Sequence, residues 1–123
     1  MDARLELVAV PVSDVDRAKT FYADKVGFEV DHDHQVNDKL RFIQLTPPGS
    51  ACSIAIGKGL NDAPPGSARG LQLVVDDIEK ARKELVDGGV KASEVQTFPW
   101  GSFVYFSDPD GNGWAVQQVP PRT

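Results

Sequence analysis

The sequence predicts an α+β domain built from two tandem βαβββ modules, and three observations carry that prediction. Leu5–Val12 and Leu71–Val75 are Val- and Leu-rich runs with imperfect alternation, the pattern of half-buried strands, and each leads directly into a helix-start signal. The segment around the first helix returns with an offset of 63: Val12 meets Val75, Asp14 meets Asp77, Val15 meets Ile78, Asp16 meets Glu79, Ala18 meets Ala81 and Asp24 meets Asp87. The segment before each last strand repeats with an offset of 62, which sets Phe42–Gly49 against Val104–Gly111. Half of a 123-residue chain is marginal alone, so the two modules are expected to pack into one domain spanning 1–123. Module one covers about 3–58, a linker about 59–68 and module two about 69–120.

Each element has a local cause. Ser13 stands as N-cap of the first helix, with the acid Asp16 three residues later near the positive end of the helix dipole. Val15, Ala18, Tyr22 and Val26 follow at helical spacing, and Gly27 supplies the stop. In the second module Asp76, Asp77 and Glu79 provide the helix-start chemistry, Ala81 and Leu85 the apolar face, and Gly88-Gly89 the stop. The strand Phe42–Leu45 turns through Pro47-Pro48-Gly49 into Cys52–Ile56. The strand Phe103–Phe106 turns through Asp108-Pro109-Asp110-Gly111-Asn112 into Trp114–Val119. The linker is rich in Gly, Pro and Asn, as a connection between modules should be.

Composition excludes several functions. The hydrophobic fraction is 41% and the charged fraction 25%, ordinary values for a folded domain. Thirteen basic and eighteen acidic residues give a net charge of −5 without a basic cluster, which argues against nucleic acid as a partner. The apolar N-terminal run is short and is interrupted by Glu6 and Pro11, so neither a signal peptide nor a membrane span is expected. One cysteine, Cys52, fits a reducing, cytoplasmic setting. Two histidines, His32 and His34, and this one cysteine limit metal chemistry.

The tandem modules, with VPVSDVDRAKTFY opening the first and SDPDGNGWAVQ closing the second, resemble the vicinal oxygen chelate superfamily. That group comprises glyoxalase, bleomycin-resistance and extradiol-dioxygenase proteins. The resemblance implies a U-shaped mixed sheet around a concave cleft, helices on the outer face, and a homodimer. In its enzymes a divalent metal is held by one ligand on the first strand and one on the last strand of each module. Carried over residue by residue, those places fall on Leu7, Ser53, Gly70 and Ala115, where His, Glu or Gln would be needed. The resemblance is therefore to a member that lacks the metal ligands, and no catalytic residue, metal or cofactor is assigned. Fold alone does not settle function.

With a strand period of two, Leu5, Leu7, Ala9, Ala51, Ser53, Ala55, Gly70, Gln72, Val74, Ala115 and Gln117 should line the cleft. Val8, Val10, Val12, Ile54, Ile56, Leu71, Leu73, Val75, Trp114 and Val116 should pack under the helices. Small residues at the cleft leave room for a sizeable molecule, and Gln72 and Gln117 supply hydrogen-bonding groups. Trp100, in the loop Thr97-Phe98-Pro99-Trp100-Gly101, either stacks on a flat ligand or folds back over the sheet edge. Phe103 and Tyr105 share one parity, and Tyr105 brings a hydroxyl to the cleft if that parity faces it. The candidate ligand-binding set is Leu7, Gln44, Ser53, Gln72, Phe98, Trp100, Phe103, Tyr105, Ala115, Gln117 and, from the rim, His34.

His32 and His34 lie two apart, as strand neighbours on one face, without a third ligand at metal-site spacing. Cys52 has buried parity and reads as an inert core thiol. No G-x-S-x-G elbow positions a nucleophile, and Gly57-Lys58-Gly59 lacks the context of a phosphate loop. The function implied is a metal-independent protein that binds and sequesters a small hydrophobic or aromatic molecule, an antibiotic or metabolite, as bleomycin-resistance proteins do. The alternative is a glyoxalase-like lyase, a dioxygenase, or a metal-free isomerase or cyclase of the same superfamily.

Overall fold

A computed structural model describes residues 1–120. In chain order the elements are β1 (Leu7–Ala9), α1 (Val15–Thr20, continued by a π-helical turn over Phe21–Val26), β2 (Glu29–Asn37), β3 (Leu40–Thr46) and β4 (Ser53–Lys58). Then follow β5 (Leu71–Val74), α2 (Ile78–Asp87), β6 (Gln96–Phe98), β7 (Gly101–Ser107) and β8 (Gly113–Gln118). This is the tandem βαβββ order. The eight strands divide into two mixed four-stranded sheets, β1-β4-β3-β2 and β5-β8-β7-β6, and in each the first strand runs parallel to the last. No helix of the described residues is long and apolar enough to cross a membrane.

Both helices cover the sheet faces that carry the bulky side chains. Val10, Ile43, Leu45, Ile54 and Ile56 from the first sheet join Val104, Phe106, Trp114 and Val116 from the second in one continuous core with Ala18, Phe21, Tyr22, Ile78 and Leu85. The small-residue faces of both sheets therefore point away from that core. The π turn has a packing consequence: it places the consecutive residues Phe21 and Tyr22 both in the core. Gly27 ends this segment in the left-handed region, as the sequence predicts.

One helix cap is corrected. Asp14 is the N-cap of α1, its carboxylate accepting from the Arg17 amide at 3.0 Å, as Asp77 accepts from Lys80 in α2. Ser13 is engaged elsewhere: its amide and hydroxyl both donate to Asp110. The reason lies in the Asp108–Asn112 turn, which ties the modules together. The Asn112 amide donates to the Pro11 carbonyl (2.8 Å) and to Asp108 (2.7 Å), and its oxygen accepts from the Ala68 amide (2.9 Å). Asp108, itself buried, also accepts from the Tyr22 hydroxyl at 2.8 Å, and the Trp114 indole donates to that same hydroxyl at 2.9 Å. Burial, together with the Asp108 carboxylate beside it, pushes the Tyr22 hydroxyl far above its ordinary pKa, so it stays a neutral donor. Gly66 completes the joint, where a Cβ would come within 2.1 Å of the Asp110 carbonyl oxygen and φ is +80°.

Candidate ligand-binding site

The ladder registers decide which side chains share a face. In the second sheet Gln72 pairs with Ala115 and Val74 with Gln117 across β5 and β8. Across β7 and β8, Phe103 pairs with Gln117 and Tyr105 with Ala115, while Phe98 stands opposite Gly101 across β6 and β7. Gln72, Phe98, Phe103, Tyr105, Ala115 and Gln117 thus occupy one face, the one turned away from the helices.

The aromatic residues form a connected array on that face. Trp100 lies parallel to Phe98 (centroids 5.2 Å, 5°), Phe98 meets Phe103 edge-on (5.9 Å, 63°), and Phe103 lies parallel to Tyr105 (6.1 Å, 4°). Phe103 is buried as the base of the array, whereas Trp100 is 62% exposed, Tyr105 39% and Phe98 38%. Trp100 is exposed, and its indole rests on Phe98 of the edge strand β6. Gln117 organises this surface. Its amide nitrogen donates to the Trp100 carbonyl at 3.0 Å, and its oxygen accepts from the Gln72 amide. Gly101 lets the turn approach, because a Cβ there would lie 2.9 Å from the Gln117 amide nitrogen.

The first sheet carries a polar counterpart. Leu7 pairs with Ser53 and Ala9 with Ala55 across β1 and β4; Gln44 stands opposite Ala55, His32 opposite Gln44 and His34 opposite Phe42. Ser53 is buried and accepts from the Gln44 amide at 3.2 Å. Its hydroxyl lies 2.7 Å from that of Thr46, which donates to Asp31. The alternation of Ile43, Gln44 and Leu45 signals Gln44 and also Thr46, which sequence reasoning passed over. Asp31 reaches Thr46 beside a register shift between Val30 and His32, and alternation gives no sign of it.

Gly70 requires a correction. It lies outside β5 with φ at +78°. The partner of Ala115 is Gln72, just as Leu7 is the partner of Ser53. The strand repeat has an offset of 65 while the helix repeat has 63, because four residues separate Ala9 from the cap Asp14 and only two separate Val74 from the cap Asp77. The four places to which the resemblance assigns metal ligands are therefore Leu7, Ser53, Gln72 and Ala115. Two lack donors, the Ser53 hydroxyl is committed to Gln44 and Thr46, and Gln72 is a neutral amide bonded to Gln117. Gln72 is thus of a residue type used at these places, but one carboxamide oxygen with no imidazole, thiolate or carboxylate at the other three makes a donor set that does not fit a divalent metal. Among the described residues no three His, Cys, Asp or Glu side chains converge on one point.

Other predicted residues fall as follows. Trp114 is core, parallel to Phe106 at 5.8 Å. Cys52 precedes β4 and is half-buried, so it lies at the margin of the core; its thiol faces the Ser53 carbonyl at 3.6 Å. Ala51 is exposed in the turn before β4. A cavity of about 820 Å³ lies elsewhere, between the start of α1 and the linker, and includes none of the candidate ligand-binding residues. Its wall is polar, and its most prominent cation, Arg41, is neutralised by Asp16 and Asp33 at 2.8 and 3.0 Å. The aromatic face is the better candidate, since it offers apolar surface with only a few fixed polar groups.

Comparisons with known proteins agree with this fold. Residues 4–116 match the model of the glyoxalase/bleomycin resistance protein/dioxygenase superfamily. TnmS3, an antibiotic-binding protein from Streptomyces sp. CB03234, is 37% identical with a TM-score of 0.87, covering 97% of this chain and 98% of that one. A glyoxalase/bleomycin resistance protein from the same strain is 38% identical with a TM-score of 0.81, covering 94% of this chain and 100% of that one. YetH of Bacillus subtilis (strain 168), an uncharacterized protein, is 28% identical over 120 residues, 96% of this chain and all of its own length. The chain belongs to the glyoxalase/bleomycin resistance protein/dioxygenase superfamily.

Proposed function

We propose that the protein binds and sequesters a flat, largely apolar small molecule without a metal, as a homodimer in the cytoplasm. The observation that carries this reading is the array of exposed Trp100, Phe98 and Tyr105 on the buried Phe103, beside the linked amides of Gln72 and Gln117. A planar ligand laid on Trp100 gains the burial of both surfaces, and each ring-on-ring contact adds about 0.5–1.5 kcal/mol beyond that burial. Phe103 is already packed and fixes the array, so little ordering is needed on binding. The Tyr105 hydroxyl and the two amides then select ligands with polar atoms at the edge of the ring system.

The dimer follows from surface that one chain leaves uncovered. All nine residues of β2 are exposed, as are Leu5 and Val74 at the free edges of the two sheets. A second copy would bring the polar face of the first sheet, with Leu7, Gln44, Ser53 and His34, opposite the aromatic face of the second. The similarity to an antibiotic-binding protein supports the ligand class, and the poor metal donor set supports metal independence.

The test is fluorescence titration of chelator-treated protein with a panel of planar aromatic and polyketide antibiotics. Saturable quenching of the exposed Trp100, absent in Trp100→Phe while the buried Trp114 still emits, supports the reading. Binding that requires an added divalent metal, or chemical turnover of the bound compound, overturns it in favour of an enzyme of the superfamily.

A further inference from the structure

The two histidines of the chain stand together, outside the aromatic face and outside the four metal-ligand places. His32 and His34 occupy alternate positions of β2, and their rings face each other with centroids 5.6 Å apart at 23°. Both are exposed, and β2 is an edge strand, so neither β3 nor a neighbouring loop covers them. We propose that this pair is a two-imidazole site for a late first-row divalent cation, with Cu²⁺ held most tightly.

The distance supports this assignment. A metal–nitrogen bond of about 2.0–2.1 Å places the ion roughly 3.2 Å from each ring centre. Two imidazoles at a tetrahedral angle then have centroids about 5.2 Å apart, and at a right angle about 4.5 Å. The observed rings lie nearly face to face, so each must turn to aim a ring nitrogen at a shared ion; a centroid separation about 0.4–1.1 Å above these values and the exposure of both side chains leave room for that rotation. Imidazole suits Cu, Ni and Zn, and the general order of affinities places Cu²⁺ highest.

The surrounding charges favour a cation. Asp31 adjoins His32 in sequence, and the chain carries a net charge of −5. The nearby cations Lys19 and Arg41 are both bound to Asp33, which pairs with Ile43 of the helix-covered parity. The residues opposite the histidines, Gln44 and Phe42, are uncharged. A pair of ligands from one strand leaves the remaining coordination positions open to donor atoms of an incoming molecule, in contrast to a closed structural site. This site shares His34 with the polar face described above but uses none of the aromatic residues, and its test contains no organic ligand, so either reading can fail without the other.

The test uses the untagged full chain, in which these are the only histidines. Calorimetric titration with CuCl₂ is expected to show one equivalent of tight binding, and electron paramagnetic resonance two equivalent nitrogen ligands. His32→Ala and His34→Ala should each weaken Cu²⁺ binding by about tenfold or more, because the second imidazole acts at high effective concentration once the first has bound. Unchanged melting curves for both variants would confirm that only the ligand is lost. Copper bound with the same affinity by the double variant, or a spectrum with one imidazole nitrogen, would overturn the proposal.

Discussion

Replacing Tyr22 by phenylalanine takes a single oxygen from the centre of the molecule and two hydrogen bonds with it. That hydroxyl donates to Asp108 at 2.8 Å and accepts from the Trp114 indole at 2.9 Å. The ring itself keeps its place against Phe28 (5.7 Å) and Trp114 (5.7 Å), so no cavity larger than the lost oxygen forms. Loss of a hydrogen bond to a charged group costs about 1.5–3 kcal/mol, and a buried N–H left unpaired costs about 1–3 kcal/mol. Asp108 keeps its bonds from the Asp110 amide and from the Asn112 amide and side chain, which limits the first cost. The net expectation is about 2–4 kcal/mol, a substantial part of the ~5–15 kcal/mol of a typical domain. For a chain of this length about 4 °C is lost per kcal/mol, so the melting temperature should fall by about 8–16 °C. Urea unfolding of the wild type, Tyr22→Phe, Trp114→Phe and the double variant measures both the loss and the coupling. A loss below about 1 kcal/mol, or strictly additive single effects, would refute the assignment of this hydroxyl as the joint between the modules.

Three further outcomes follow from the same geometry. Gln117→Ala should free the Trp100 loop and raise the rotational mobility of the indole in fluorescence anisotropy, with ligand affinity falling about tenfold through lost preorganisation. Hydrogen bonds from Arg41 and then Lys19 hold the Asp33 carboxyl at about 2, below its ordinary 3.8. Their stabilisation is therefore complete above about pH 4 and lost as pH falls through about 2; at this partly exposed site it amounts to about 1 kcal/mol, and acid titration of Asp33→Asn should lack it. Sedimentation should show a dimer, and charges placed at Leu5 and Val74 together should yield monomers that retain wild-type circular dichroism.

Much of this architecture was legible in the chain because local chemistry and packing agree. The strand parities of Ile54, Ile56, Trp114 and Val116 were readable since one face of each sheet is buried, and a slip of one residue would expose all four. The aromatic residues Phe103 and Tyr105 were placed by the same rule. Ser13 was misread as a cap because its true partner, Asp110, lies 97 residues away in sequence. Gly70 was misread because the helices are repeated at one spacing and the strands at another, and the helix motif is the stronger signal. The π turn at Phe21–Val26 follows from tertiary packing of two adjacent aromatics, which periodicity does not encode.

The central claim is that the aromatic face of the second sheet takes the ligand without a metal. Chemical-shift mapping of isotopically labelled, chelator-treated protein, titrated with whichever planar compound quenches Trp100, tests it most directly. The largest shifts are expected at the Trp100 indole N–H, at the Gln72 and Gln117 side-chain amides, and at Phe98 and Tyr105. Shifts confined to the groove between the start of α1 and the linker, or none until a divalent ion is added, would contradict it.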